Sequence, residues 1–113
     1  MFITYVNVLI IFQFLDPHMY TPTVSRFTLS YSASIAACQA LGEQMATISQ
    51  MTDAYNTGLW CCSIGWVEHQ YMTLPNQQAC GGYGGSHYKW PQSGSNLNIG
   101  RNTYCTGHKG ELP

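Results

Sequence analysis

A chain of 113 residues is the length of one domain, with a core small enough to gain from covalent cross-links. Only 8% of its residues are charged, against about 25% in an average soluble domain, and four Lys+Arg set against five Asp+Glu leave a formal net charge of −1. So weak a field makes nucleic acid and anionic membranes poor partners; a polar surface built from Ser, Thr, Asn, Gln and eight Tyr suits a secreted domain that meets a neutral or weakly charged polar ligand such as a glycan.

The chain opens on "MFITYVNVLIIFQFL", apolar over residues 1–15. That is short for a membrane span of about twenty residues, and it lacks the basic start and small-residue cleavage site of a signal peptide. Two readings stay open: a leader-like or anchoring segment, or a buried core strand carried by Ile3, Val6, Val8, Ile10 and Ile11. Residues 16–113 form the expected domain.

"RFTL" (residues 26–29) alternates and predicts a short strand. "SYSASIAACQALG" then predicts a helix, with Ser30 as N-cap, Gly42 just past its end, and Ala33, Ala37 and Leu41 beside Cys38 as its apolar stripe. "QMATISQMTDAYNTG" repeats the arrangement. A short strand at Met45 and Ala46 leads to Thr47 as N-cap, Gln50 completes a capping box, Gly58 stops the helix, and Met51, Ala54 and Tyr55 form its inner face. Beyond Gly58 the pattern turns to short strands, "SIGWV" and "YMTL", followed by the Gly-rich run "ACGGYGGSHYKWPQSGSNLNIG", which predicts a functional loop or a disordered one. Two helices followed by strands and a large loop define an α+β class.

"GLWCCSIGW" sets Cys61 beside Cys62 in a chain of five cysteines. Five choices of the unpaired residue and three connectivities for the other four give fifteen ways to make two bridges, and spacing alone does not choose among them. "AACQALGEQMATISQM", "GLWCCSIGWV", "LPNQQACGG" and "NTYC", in this order and spacing, resemble the Link module, the hyaluronan-binding domain family of aggrecan, versican, the link proteins and the stabilins; the match runs from about Arg26 to Cys105. The resemblance implies the C-type lectin-like fold, with two helices beside two small antiparallel sheets. It also implies bridges Cys38–Cys105 and Cys62–Cys80, because the family's cysteine sits three residues before the glycine of "GW", which is Cys62 here. Bridges of this kind place the chain in an oxidising compartment.

Cys61 is then a free thiol. As a functional group it would serve intermolecular pairing or metal binding; the reading preferred is a small apolar residue facing the core. His18, His69, His87 and His108 are scattered and show no zinc-ligand spacing.

The family binds hyaluronan in a shallow groove where rings stack on sugar faces and basic side chains meet carboxylates, one per disaccharide. Position by position, the resemblance implies Arg26 and Phe27 before the first helix, Tyr83 after the third family cysteine, and Trp90 or Tyr88 on the following strand. Two positions depart from the pattern. Leu74 stands where a tyrosine precedes the proline, and Pro91, Gln92 and Ser93 occupy the stretch where an arginine is expected, so that Lys89 is the candidate substitute. Arg101 and Lys109 fall away from the matched positions.

Other chemistries find little support. Between Asp53 and Pro113 the carboxylates are Asp53, Glu68 and Glu111, too few and too spread for a calcium-dependent lectin or a glycosidase pair; Glu68-His69 reads as a solvated turn, and no Ser-His-Asp or phosphate-loop pattern occurs. The expectation is an extracellular, secreted or cell-surface glycosaminoglycan-binding module, hyaluronan first, in matrix organisation or cell adhesion. It is not an enzyme and needs no cofactor and no metal. Matrix proteins are further partners, nucleic acid is none, and a membrane is met only through the N-terminal segment or a larger chain. The alternative is a Link-fold protein–protein or structural module with a degenerate groove.

Overall fold

The computed structural model describes residues 17–20 and 28–107. The apolar segment 1–15, Arg26, Phe27, His108, Lys109 and Glu111 lie outside the described residues. The elements, in chain order, are β1 (Pro17–Tyr20), α1 (Tyr31–Ala40), β2 (Gln44–Met45), α2 (Ile48–Asn56), β3 (Gly65–Val67), β4 (Tyr71–Asn76), β5 (Ser86–Pro91), a 3-10 turn (Gly94–Asn98) and β6 (Asn102–Thr106).

Both helices begin where their caps dictate. The Ser30 hydroxyl accepts from the Ala33 amide at 3.2 Å. At α2 the capping box closes: the Gln50 amide donates to Thr47 Oγ1 at 3.0 Å, and the Thr47 amide donates to Gln50 Oε1 at 2.9 Å. The stripe expected on α1 is corrected. Ser34 and Cys38 are the buried residues, flanked by Tyr31 and Ile35, while Leu41 is the exposed C-cap. Small alanines leave a helix face undecided, and the covalent tie at Cys38 decides it.

The strands form one mixed sheet in the order β1-β6-β3-β4-β5, with β2 also paired to β6. It consists of two antiparallel groups, β1-β6-β2 and β3-β4-β5, joined by the parallel pair β3–β6. Neighbouring residues on a strand point to opposite faces, so β3, β4 and β6 each feed two cores. Trp66, Met72, Met45 and Cys105 meet Cys38 beneath α1, and Val67 and Tyr104 meet Ala46 and Met51 beneath α2. The buried Trp66 indole N–H donates to the carbonyls of Leu29 (3.0 Å) and Ile99 (3.2 Å), which fixes two loops that flank the site.

Disulfides join Cys38 to Cys105 and Cys62 to Cys80, the pairing that the resemblance implies. They close loops with sequence separations of 67 and 18 residues, worth about 4 and about 3 kcal/mol on a chain-entropy estimate. The Gly-rich run differs from the expected loop, since it carries β5 and the 3-10 turn. Six consecutive residue pairs with β4, from Tyr71↔Pro91 to Asn76↔Ser86, hold it in the sheet. Within "RFTL", Leu29 pairs with Arg101 in an isolated bridge.

Candidate functional site

The site begins with a turn that favours glycine. Cys80 and Tyr83 exchange two backbone hydrogen bonds, of 2.9 and 3.0 Å, around Gly81 and Gly82. Both glycines have positive φ (60° and 85°), the geometry of a tight hairpin turn that disfavours side chains. The Cys62–Cys80 bridge anchors the base of this turn, so Tyr83 projects from a rigid support.

β5 supplies the other rings. Tyr88 and Trp90 are two residues apart and therefore share a face. Their planes are 6° apart with centroids at 5.8 Å, and Tyr83 leans across both, at 5.3 Å from Tyr88 and 5.7 Å from Trp90. The resemblance left Trp90 and Tyr88 as alternatives; the structure brings both to Tyr83. Trp90 also packs against the core beneath α1, so it is held from behind.

Two cavities of about 220 Å³ each lie beside these rings. The first is walled by the Cys62–Cys80 bridge, Ser63 and the buried Leu74, and the second by Met72, Trp90, Gln92 and Ile99. Ile64, Tyr83 and Arg101 line both, so the two adjoin along a shared wall as a two-part groove. Its lining contains no carboxylate among the described residues, and a surface of rings and aliphatic groups with a few polar atoms suits stacking and hydrogen bonding, not acid–base chemistry.

The two basic residues fall where the sequence reading did not put them. Lys89 lies between Tyr88 and Trp90 in sequence and so points to the other face, where it lines a cavity of about 690 Å³ with Thr47, Ile48, Tyr71 and His69 beneath the start of α2. It does not join the aromatic groove. Arg101, expected away from the site, is in it. The cause is the parallel pairing of β3 and β6: Gly65 is opposite Asn102, so the residues before each strand, Ile64 and Arg101, are brought together. A parallel register leaves no mark in local sequence, and hairpin logic does not reach it. Arg26 and Phe27 lie outside the described residues.

The remaining candidates have structural surroundings. Cys61 is free and half-buried, packed near Val67 and Tyr104; burial pushes its thiol pKa up, with hydrogen bonding to Tyr104 opposing this. Such a thiol is a poor nucleophile and a poor metal ligand. No group of three or more His, Cys, Asp or Glu is clustered among the described residues. His87 stacks on Tyr55 of α2 (5.3 Å, 24°), and its Nε2 lies 2.7 Å from Thr73 Oγ1. The Thr73 hydroxyl donates to the Tyr88 carbonyl at 2.9 Å, so it accepts from His87 Nε2–H, and the buried Nδ1 is left without a partner. Burial first, and the charge of Lys89 second, lower the His87 pKa to about 4. Glu68, His69 and Gln70 form the turn between β3 and β4, with His69 and Gln70 at φ of 65° and 63°. No helix among the described residues is long and apolar enough to cross a membrane.

Comparison with known proteins gives a consistent result. The family described as "Extracellular link domain" matches residues 18–106. The human (Homo sapiens) versican core protein is 36% identical over 56 residues, which are 50% of this chain and 2% of that protein. The rat (Rattus norvegicus) and mouse (Mus musculus) versican core proteins are each 34% identical over 56 residues, with the same shares. The chain thus spans about 2% of the length of these curated relatives.

Proposed function

This chain belongs to the extracellular link domain family, and from that premise we propose that it is an extracellular module that binds a glycosaminoglycan, hyaluronan first, in matrix organisation or cell adhesion. The observation that carries this reading is the ring cluster of Tyr83, Tyr88 and Trp90, of which Tyr83 and Trp90 line the adjoining cavities. Aromatic faces are apolar and weakly negative, and they pair with the C–H-rich faces of pyranose rings, while the Tyr83 and Tyr88 hydroxyls reach sugar oxygens. The apolar pocket between Leu74 and the Cys62–Cys80 bridge suits a methyl-bearing substituent such as an acetamido group. The role is binding and not catalysis.

Leu74 supports a second reading, a Link scaffold for protein contacts with a degenerate groove, because it offers no hydroxyl and is buried in the pocket wall. Titration of the chain with hyaluronan oligosaccharides, with chondroitin as competitor, separates the two. Saturable binding that perturbs the NMR signals of Tyr83 and Trp90 supports the glycan reading. Binding to neither glycan removes it and leaves the protein-contact module.

A further inference from the structure

The geometry points to Arg101 as the residue that reads the acidic group of the bound sugar: its guanidinium takes one carboxylate in the groove and so sets the register of an unsulfated, uronate-bearing glycan. This rests on the glycan reading above and extends it, naming the residue that recognises charge and the kind of charge that it recognises.

Four observations converge. Arg101 lines both parts of the groove, and only Ile64 and Tyr83 share that position. Its backbone is fixed, since its amide donates to the Leu29 carbonyl and its carbonyl accepts from the Leu29 amide, both at 2.9 Å. Its Nε is shielded from solvent without an acceptor, and the carboxylate contacts found among the described residues belong to His18–Glu43 and His69–Glu68. Lys89, the other described Lys or Arg, lies on the opposite face of β5. A shielded N–H donor without a partner is costly, and an incoming oxygen acceptor toward which the guanidinium turns removes that cost.

The form of the site favours a carboxylate. Guanidinium offers two parallel N–H donors at the spacing of two carboxylate oxygens, which fixes orientation as well as charge. The walls next to Arg101 are Leu74, Ile64 and a disulfide, and apolar walls strengthen a single ion pair. A densely sulfated chain gains affinity by meeting many cations at once, whereas this groove presents one among the described residues. One guanidinium matches one acidic group per repeat.

The test uses the whole 113-residue chain, its Arg101→Ala, Arg101→Lys and Lys89→Ala variants, and two probes: a hyaluronan oligosaccharide, and the same oligosaccharide with its carboxylates reduced to alcohols. Arg101→Ala is expected to weaken binding of the native sugar at least about tenfold and to leave binding of the reduced sugar unchanged. Lys89→Ala is expected to change neither. Arg101→Lys, which keeps the charge without the fork, should fall between wild type and alanine for the native sugar, and it carries the comparison should the alanine variant melt early. Equal losses for both sugars, or no loss for the native one, overturn the assignment while the glycan reading stands. If wild type binds neither sugar, the glycan reading fails and this inference fails with it.

Discussion

The Tyr104 ring occupies the space that a side chain at Gly65 would need: a Cβ there would lie 2.7 Å from Tyr104 Cε2 and 2.8 Å from Cδ2. The ring has little freedom to retreat, because it is fully buried and its hydroxyl donates to the Ser63 carbonyl at 2.5 Å. Gly65→Ala should therefore destabilise the domain by about 2 kcal/mol and lower the melting temperature by about 10 °C, measured by differential scanning calorimetry. An unchanged melting temperature would show that β3 and β6 move apart easily.

Tyr83→Ala and Trp90→Ala should each weaken hyaluronan binding by about 1–2 kcal/mol, the scale of one lost aromatic platform, in isothermal titration. Trp90→Ala should also cost stability, since that ring backs onto the core beneath α1. Tyr83 is more exposed and should leave the melting point nearly unchanged. Full affinity in both variants would move the site elsewhere.

Cys62→Ser should cost about 3 kcal/mol through loss of the bridge to Cys80, whereas Cys61→Val should change stability by less than about 1 kcal/mol, because the residue packs as a small hydrophobe. Denaturant midpoints under oxidising conditions check both. Non-reducing peptide mapping that placed Cys61, not Cys62, on Cys80 would contradict the pairing.

Stability should fall on acidification through His87. Its folded pKa of about 4 is below the ordinary 6.5, so the native state holds the ring neutral while the unfolded chain takes up a proton first. The contribution is complete above about pH 6.5 and is lost as pH falls towards 4. The ring is only half-buried, which discounts the effect to about 1–2 kcal/mol. Urea denaturation of wild type and His87→Gln between pH 7 and 4 should give a shallower pH slope for the variant. Parallel slopes would place the titration elsewhere.

What is legible in the sequence is whatever local chemistry decides. Ser30, Thr47 and Gln50 announce their helices because a cap is satisfied within three residues. Gly81-Gly82 marks a tight turn for the same reason. The alternation that puts Tyr88 and Trp90 on one side also excludes Lys89, and it can be read from spacing once β5 is recognised as a strand inside a Gly-rich run. Arg101 is different in kind. It enters the groove through the parallel β3–β6 register, a partnership between residues 37 apart in sequence that no local pattern encodes. The bridge pairing likewise comes from family resemblance and not from spacing.

β6 imposes an order on biosynthesis. This strand borders β1, β2 and β3, supplies Tyr104 to one core and Cys105 to the other, and follows every other described element in the chain. While the chain emerges from N- to C-terminus, α1, α2 and the β3-β4-β5 meander can form, yet the groups that close the interior are still missing. Until residue 106 is released, Trp66, Met51 and Val67 are left without their final packing partners, and Cys38 has no Cys105 to join. Folding is thus deferred until β6 has emerged, and during that interval Cys38 is a thiol open to the wrong partner, with Cys61 and Cys62 among those within reach.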